Sequence, residues 1–153
     1  MAPRRAPALW LCGAVLAAAL SAAAESTGPL VLEDAWVRAL PPTQRVTAAY
    51  LRVTNPGATP VRITGAEAAG AGRAALHDSV ETDAGMARMQ PVPSLPLGPG
   101  ASVTLAPRGL HIMLMDLERM PQPGASLRLC LLTSDGGRSC TDARVRRGAG
   151  QAH

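Results

Sequence analysis

Short apolar or alternating runs follow one another along most of this chain, separated by glycine or proline about every 8–12 residues, a spacing typical of all-β domains. Residues 48–54 alternate in polarity, so they are expected to present one set of side chains on each face of a strand. No segment has a sustained helical period, and the pattern predicts an all-β domain of the sandwich or barrel type. Further strands are predicted at residues 35–38, 61–64, 74–80, 102–105, 110–117, 126–133 and 138–145.

A tight hairpin turn is predicted near the C-terminus, where Asp135 and Gly136 stand between the last two runs. Aspartate followed by glycine favours the backbone angles of such a turn. Cys130 and Cys140 flank the turn almost symmetrically, so a cross-strand disulfide is one expectation. Two reduced, buried cysteines are the alternative, because a redox or metal-binding pair usually has a closer C-x-x-C spacing.

The first 24 residues have the features of an export signal. A short basic start precedes an apolar run at 8–23, and a series of alanines ends at Ala24. The run is shorter than the roughly 20 residues that a membrane-spanning helix needs, and bulky Trp10 disfavours lipid attachment at Cys12. We therefore predict a signal peptide at 1–24, one domain at 25–147 and a short tail at 148–153, with no stable membrane insertion after cleavage.

The charge composition gives no support for nucleic acid as a partner. The chain has 15 basic residues, all arginine, and 11 acidic residues, for a formal net charge of +4. Aromatic residues make up 2% of it, and no basic stretch carries the interleaved aromatic residues that single-strand binders use. Four arginines cluster near the C-terminus, and we interpret them as part of a solvated edge strand or tail. They are Arg138, Arg144, Arg146 and Arg147.

The most informative chemistry lies in a histidine followed two residues later by a methionine. His111 and Met113 fall in one predicted strand, so their side chains are expected on the same face. Imidazole nitrogen and thioether sulfur together suit a soft, polarizable ion, and Cu(I) is the usual biological candidate. His77 and Met89 are the residues that could complete a site for such an ion, and Met86 is either a loop residue or a supplementary ligand.

The spacing of these residues resembles that of the periplasmic PCuAC-type copper chaperones, whose motif is a histidine, ten residues, a methionine, twenty-one residues and then His-x-Met. Met89 and His111 have twenty-one residues between them, and His77 and Met89 have eleven, one more than the motif. We interpret the extra residue as an insertion in a surface turn, which costs little. Other segments resemble family landmarks in family order, at 33–38, 48–51, 54–57 and 111–115.

The resemblance implies a cupredoxin-like Greek-key β-sandwich that binds one Cu(I) at an exposed site formed by His77, Met89, His111 and Met113. It also implies delivery of the copper to the binuclear centre of cytochrome c oxidase, with the copper-bearing oxidase subunit and a Sco-type thioredoxin-like protein as partners. Neutral thioether and imidazole ligands hold Cu(I) without burying anionic charge. The sequence thus predicts a monomeric, non-enzymatic copper carrier of the periplasm.

Other protein classes fit the sequence less well or remain as alternatives. A blue-copper electron carrier needs a cysteine ligand shortly before its last histidine and methionine, and none precedes His111. A hydrolase or oxidoreductase lacks support, because no G-x-S-x-G elbow or nucleotide-binding loop is present. A metal-free exported interaction or adhesion module stays open, as does a general copper storage or resistance protein. Met115 and Met120 are interpreted as core residues.

Overall fold

Ten β-strands make up the regular secondary structure of residues 29–148, the part of the chain that the computed structural model describes. The predicted all-β fold is confirmed. This part of the chain contains no helix of the length and apolar character needed to cross a membrane. The predicted signal peptide and nearly all of the predicted tail lie outside the described residues. The strands are β1 Val31–Arg38, β2 Thr47–Thr54, β3 Val61–Ala68, β4 Ala71–Glu81, β5 Ala87–Pro91, β6 Leu95–Leu97, β7 Ser102–Leu105, β8 His111–Leu117, β9 Ser126–Thr133 and β10 Arg138–Arg146.

Seven of these strands form one closed sheet, which makes up the β-sandwich. They are ordered β4, β8, β2, β1, β10, β9 and β3, and β3 returns to β4 where Ala66 lies opposite Ala74. β1 and β10 pair in parallel, and the remaining pairs are antiparallel. Three short strands extend this framework, with β5 along β4, β6 along β3 and β7 along β2. The four main metal-ligand candidates lie on β4, β5 and β8, which are neighbours.

The hydrophobic core explains why His111, Met113 and Met115 of β8 lie on the face of the strand that points away from the core. Ile112 and Leu114 are fully buried in the core, together with Leu51 of β2 and Leu76 of β4. Burying an aliphatic side chain of this size contributes about 1.5–3 kcal/mol. Because successive side chains of a strand point to opposite faces, His111, Met113 and Met115 are left on the outer face. The alternation ends at Asp116, whose φ is +55°, and Leu117 is again buried in the core.

The predicted C-terminal hairpin is confirmed, and β9 has the predicted bounds. Cys140 lies directly opposite Cys130, and the two sulfurs form a disulfide that staples the hairpin. In the turn, the Asp135 carboxylate accepts hydrogen bonds from the Thr133 hydroxyl and the Gly137 N–H. These hydrogen bonds, that of Thr133 foremost, hold the pKa of Asp135 below its ordinary value.

The interpretation of the C-terminal arginines as part of a solvated edge strand or tail is wrong about the edge position, although Arg138, Arg144 and Arg147 are exposed. β10 is an interior strand that pairs with β1 on one side and β9 on the other. The Arg146 guanidinium lies over the Trp36 ring, 4.4 Å from its centroid, and Arg138 forms an ion pair with Glu67 at 2.8 Å. The parallel partner β1 lies about 100 residues earlier in the chain, so no local pattern could predict this pairing.

Two strands and one core assignment also differ from the prediction. β5 was missed because all five of its residues are exposed, and β6 because it has only three residues. Met120 is 2% exposed within the core, as predicted. Met115 is instead half-buried on the outer face of β8, where its sulfur lies 3.5 Å from the Arg73 guanidinium.

Candidate metal centre

The two histidines that sequence reasoning selected lie side by side on neighbouring strands. His77 of β4 is directly opposite His111 of β8 in the antiparallel register. Their rings are stacked, with centroids 6.2 Å apart and planes 27° from parallel. The structure therefore brings together two imidazoles that are 34 positions apart in the sequence.

His111 is oriented by its own backbone. Its Nδ1 donates a hydrogen bond to the Gly109 carbonyl at 2.8 Å, and since a carbonyl can only accept, the proton of the neutral ring is on Nδ1. Nε2 then carries a lone pair. This atom is buried and has no hydrogen-bond partner, while the whole residue is 3% exposed. A buried acceptor without a partner costs about 1–3 kcal/mol, and a coordinated metal ion is one way to satisfy it.

His77 has the same arrangement at a more open position. Its Nδ1 lies 3.3 Å from the carbonyl of Ala75, and the residue is half-buried. The hydrogen bond again assigns the lone pair to Nε2. A backbone carbonyl that holds the far nitrogen of a ligating histidine fixes both ring orientation and tautomer. Both imidazoles are thus prepared to donate through Nε2.

The two methionine candidates line a shared groove. Met113 lies opposite Ala75, and Met89 of β5 lies opposite Ser79, so both methionines share a face of the sheet with His77 but are offset from each other along it. Met89, His111 and Met113 all line one groove of about 750 Å³. Met113 is half-buried, whereas Met89 is 60% exposed on the edge strand.

Met86, the supplementary candidate, lies in the turn between β4 and β5 and is 66% exposed. In this turn, to which the sequence interpretation assigns the extra residue relative to the motif, Gly85 takes a positive φ of +73°. The register on both sides of it keeps Met89 on the face of His77. Met89 and His77 therefore lie on the same face of the sheet, as a shared metal site requires.

A row of rings and guanidinium groups extends the site across the sheet, and sequence reasoning assigned it no role. Tyr50 lies between His111 and Trp36, with ring centroids 6.4 Å and 4.5 Å away. The Arg146 guanidinium lies over the Trp36 ring, and that of Arg38 lies 5.7 Å from the centroid of the Tyr50 ring. Trp36 and Tyr50 are the only aromatic residues between 29 and 148, and that scarcity was the one signal available in the sequence.

The groove is positively charged where it meets the histidine. Arg38 and Arg108 line it, with Glu81 as the carboxylate among the lining residues. Burial raises the pKa of Tyr50, although the nearby Arg38 guanidinium acts in the opposite direction, so the phenol is neutral at pH 7. Added positive charge disfavours a divalent ion more than a monovalent one.

Nitrogen and oxygen donors alone do not form a metal site in the described part of the chain. Residues 29–148 contain no group of three His, Cys, Asp or Glu side chains that could hold a metal ion. The further donors that line the groove beside His111 are the sulfurs of Met89 and Met113. This donor set selects soft ions.

Comparison with known proteins places the chain in a family. Residues 30–145 match the family described as "Putative lipoprotein LpqE-like", and the chain belongs to that family. A relative from Leifsonia xyli subsp. xyli, described as "Putative lipoprotein Lxx21020", is 28% identical over 128 residues, which cover 84% of this chain and 76% of the relative.

Solved structures of PCuAC domains share the fold. The copper-bound PCuAC domain from PmoF2 is 25% identical with a TM-score of 0.67, and the match covers 82% of this chain and 99% of that domain. Apo-DR1885 from Deinococcus radiodurans is 31% identical with a TM-score of 0.59, over 98% of this chain and 99% of that one. Its CuI form is 35% identical with a TM-score of 0.58, over 74% and 76%. The confirmed β-sandwich is thus the fold of copper-binding domains.

Proposed function

We propose that this protein is an exported copper chaperone that binds one Cu(I) through His77, Met89, His111 and Met113 and passes it to another protein. The proposal is supported by structural likeness to domains solved with copper bound. It describes a carrier, because the site offers soft and neutral ligands for an ion. Copper is the cargo of this site.

The observation that carries the proposal is the buried, unpartnered Nε2 of His111. The hydrogen bond from Nδ1 to Gly109 leaves this nitrogen with a lone pair directed away from the backbone. A purely structural histidine would be expected to use both ring nitrogens in hydrogen bonds or to expose one to water. Here the free nitrogen belongs to a residue that lines the same groove as two methionines.

The arrangement of ligands suits transfer better than permanent storage. His111 is buried, Met113 and His77 are half-buried, and Met89 is exposed at the edge. An incoming protein could replace the exposed Met89 first and the histidines later, so the ion need never be released to water. Methionine also remains a ligand in an oxidising compartment in which paired thiolates form disulfides.

A Cu(I) competition titration tests the site directly. The mature chain, residues 25–153, competes with a chromophoric chelator in the presence of ascorbate, beside a Met89→Ala/His111→Ala double variant and a Met120→Leu control in the core. One-to-one binding that is lost in the folded double variant and kept in the control supports the assignment. A folded wild-type protein that binds no Cu(I) contradicts it and favours the metal-free interaction module.

The destination of the copper follows from the resemblance and is part of the same proposal. Export through a signal at residues 1–24 places the protein in the periplasm, and the lipoprotein names of its family and relative keep lipid attachment at Cys12 as the alternative route. The proposed acceptor is the binuclear copper centre of cytochrome c oxidase, with a Sco-type protein as co-partner. Oxidase activity that survives deletion of the protein under copper limitation would favour general copper storage or resistance.

A further inference from the structure

The exposed large apolar side chains of residues 29–148 gather around the groove of the proposed copper site. Leu40 and Val46 are each 38% exposed, Met86 is 66% exposed and Met89 is 60% exposed. Leu40, Val46 and Met89 line the groove, and Met86 lies between two lining residues in the chain. We call these four residues the apolar rim. Exposed apolar side chains that cluster in one place mark an interaction surface more often than scattered ones do.

Charge is distributed around the rim in a way that selects the partner. Arg38 and Arg108 line the groove against the single carboxylate of Glu81, so the charged lining is positive by one unit. Arg108 is exposed and has a φ of +70°, a conformation in which glycine or asparagine would be less strained. An arginine at this position places its charge at the mouth of the groove, three residues before His111.

We propose that the apolar rim, together with Arg38 and Arg108, is the face on which a copper-exchange partner protein docks, and that the partner's contact surface is apolar at its centre and acidic at its edge. This inference rests on the proposed function, which gives the reason for a copper-exchange partner to dock on this face. The groove of about 750 Å³ is concave, which fits a convex protein surface that brings ligands inward and does not fit a flat lipid surface. Apolar contact then excludes water while the acidic edge directs approach.

The chain itself supplies a defined probe. Two wild-type copies that meet rim to rim repel each other, whereas Arg108→Glu reverses the net charge of one lining and imitates an acidic partner. The experiment follows Cu(I) transfer by native mass spectrometry from a loaded wild-type donor to ¹⁵N-labelled apo acceptors, either wild type, Arg108→Glu or Arg119→Glu. Arg119 is exposed two residues beyond the far end of β8, so its reversal changes the net charge equally but away from the rim.

We expect transfer to the Arg108→Glu acceptor to be about fivefold faster than to wild type at low ionic strength, and the difference to vanish at about 0.5 M salt. The Arg119→Glu acceptor should behave like wild type. The Cu(I) affinity of each acceptor is measured first, so that the rates compare encounter and not ligand strength. Equal rates for all three acceptors, or an equal acceleration by Arg119→Glu, would overturn the proposal.

A metal-free arm keeps the docking inference separate from copper binding. Labelled apo wild-type protein is titrated with unlabelled apo Arg108→Glu, and amide shifts are followed by NMR. Shifts confined to Leu40, Val46, Met86 and Met89 and their neighbours support docking even if no copper binds. Shifts elsewhere, or none, contradict it. Co-sedimentation with phosphatidylglycerol vesicles that Arg108→Glu abolishes would overturn the protein partner in favour of an anionic membrane.

Discussion

Replacing His111 with leucine should make the metal-free protein more stable and abolish its stabilisation by Cu(I). The wild-type residue buries an Nε2 atom without a partner, and leucine removes that atom while filling a similar volume. Loss of the hydrogen bond from His111 does not leave the Gly109 carbonyl without a partner, because this carbonyl also accepts a hydrogen bond from the Ser79 N–H at 3.3 Å. The substitution therefore removes a cost that only the metal compensates.

The size of the stability change in metal-free His111→Leu follows from two opposing effects. The unpartnered nitrogen costs about 1–3 kcal/mol, and imperfect packing of leucine in the histidine space costs less than about 1.5 kcal/mol. A net gain of about 1 kcal/mol corresponds to a rise in Tm of about 4 °C for a domain of this size. Cu(I) at a thousand times its Kd should stabilise the wild type by about 4 kcal/mol. The order of stability between the two proteins should therefore reverse when copper is added.

The assay is thermal unfolding of both proteins with and without Cu(I), with ascorbate as reductant so that the Cys130–Cys140 disulfide remains intact. His77→Leu is the matched control, because His77 is half-buried and has no buried nitrogen without a partner. It should lose the copper effect and leave the metal-free Tm within about 2 °C of the wild type, as for a surface substitution. If metal-free His111→Leu is less stable than wild type, or if copper still stabilises it, the reasoning about Nε2 is refuted.

Three further outcomes are expected. Met113→Leu should lower Cu(I) affinity at least about tenfold in chelator competition, whereas Met120→Leu should leave that affinity unchanged. In denaturant unfolding, Met120→Leu should change the free energy of unfolding by less than about 1.5 kcal/mol. Replacing Cys130 and Cys140 by alanine together should cost about 3 kcal/mol of stability in urea, because the disulfide closes a short loop. Copper binding should be kept, because β9 and β10 do not pair with the ligand-bearing strands β4, β5 and β8. The pKa of Asp135 is lower in the folded protein than in the unfolded chain, where it is near 3.9, so the ionised carboxylate stabilises the fold above that pH. This stability is lost as the pH falls through the pKa of Asp135 in the folded protein. Asp135→Asn should therefore weaken the pH dependence of Tm below about pH 4. A pH profile identical to wild type would contradict the last expectation.

The sequence was sufficient for elements whose signals are local. Residues 102–105 and 126–133 form strands with the predicted bounds, and the hairpin at Asp135 and Gly136 forms as predicted. Turn residues and alternation act over a few positions, so they can be interpreted without knowing the fold. The same is true of His111 and Met113, whose common face follows from strand geometry alone.

The placement of Met89 depended on tertiary structure. Residues 87–91 have no alternating core face, and their strand exists only because β4 offers an unpaired edge. Pairing with that edge sets the register that directs Met89 toward the face of His77. Sequence spacing suggested a ligand here but could not establish on which face the side chain would lie.

Composition, turn chemistry and strand periodicity thus determined that this chain folds as an all-β domain with a soft, neutral pair of donors on one strand. Tertiary structure decided the rest: that His77 lies beside His111, that Arg146 covers Trp36 in the sheet interior, and that the exposed apolar residues surround one groove. The physical reason is the range of the interactions. Local signals depend on neighbouring backbone angles, whereas cross-strand pairing and closure of the sandwich depend on contacts between residues tens of positions apart.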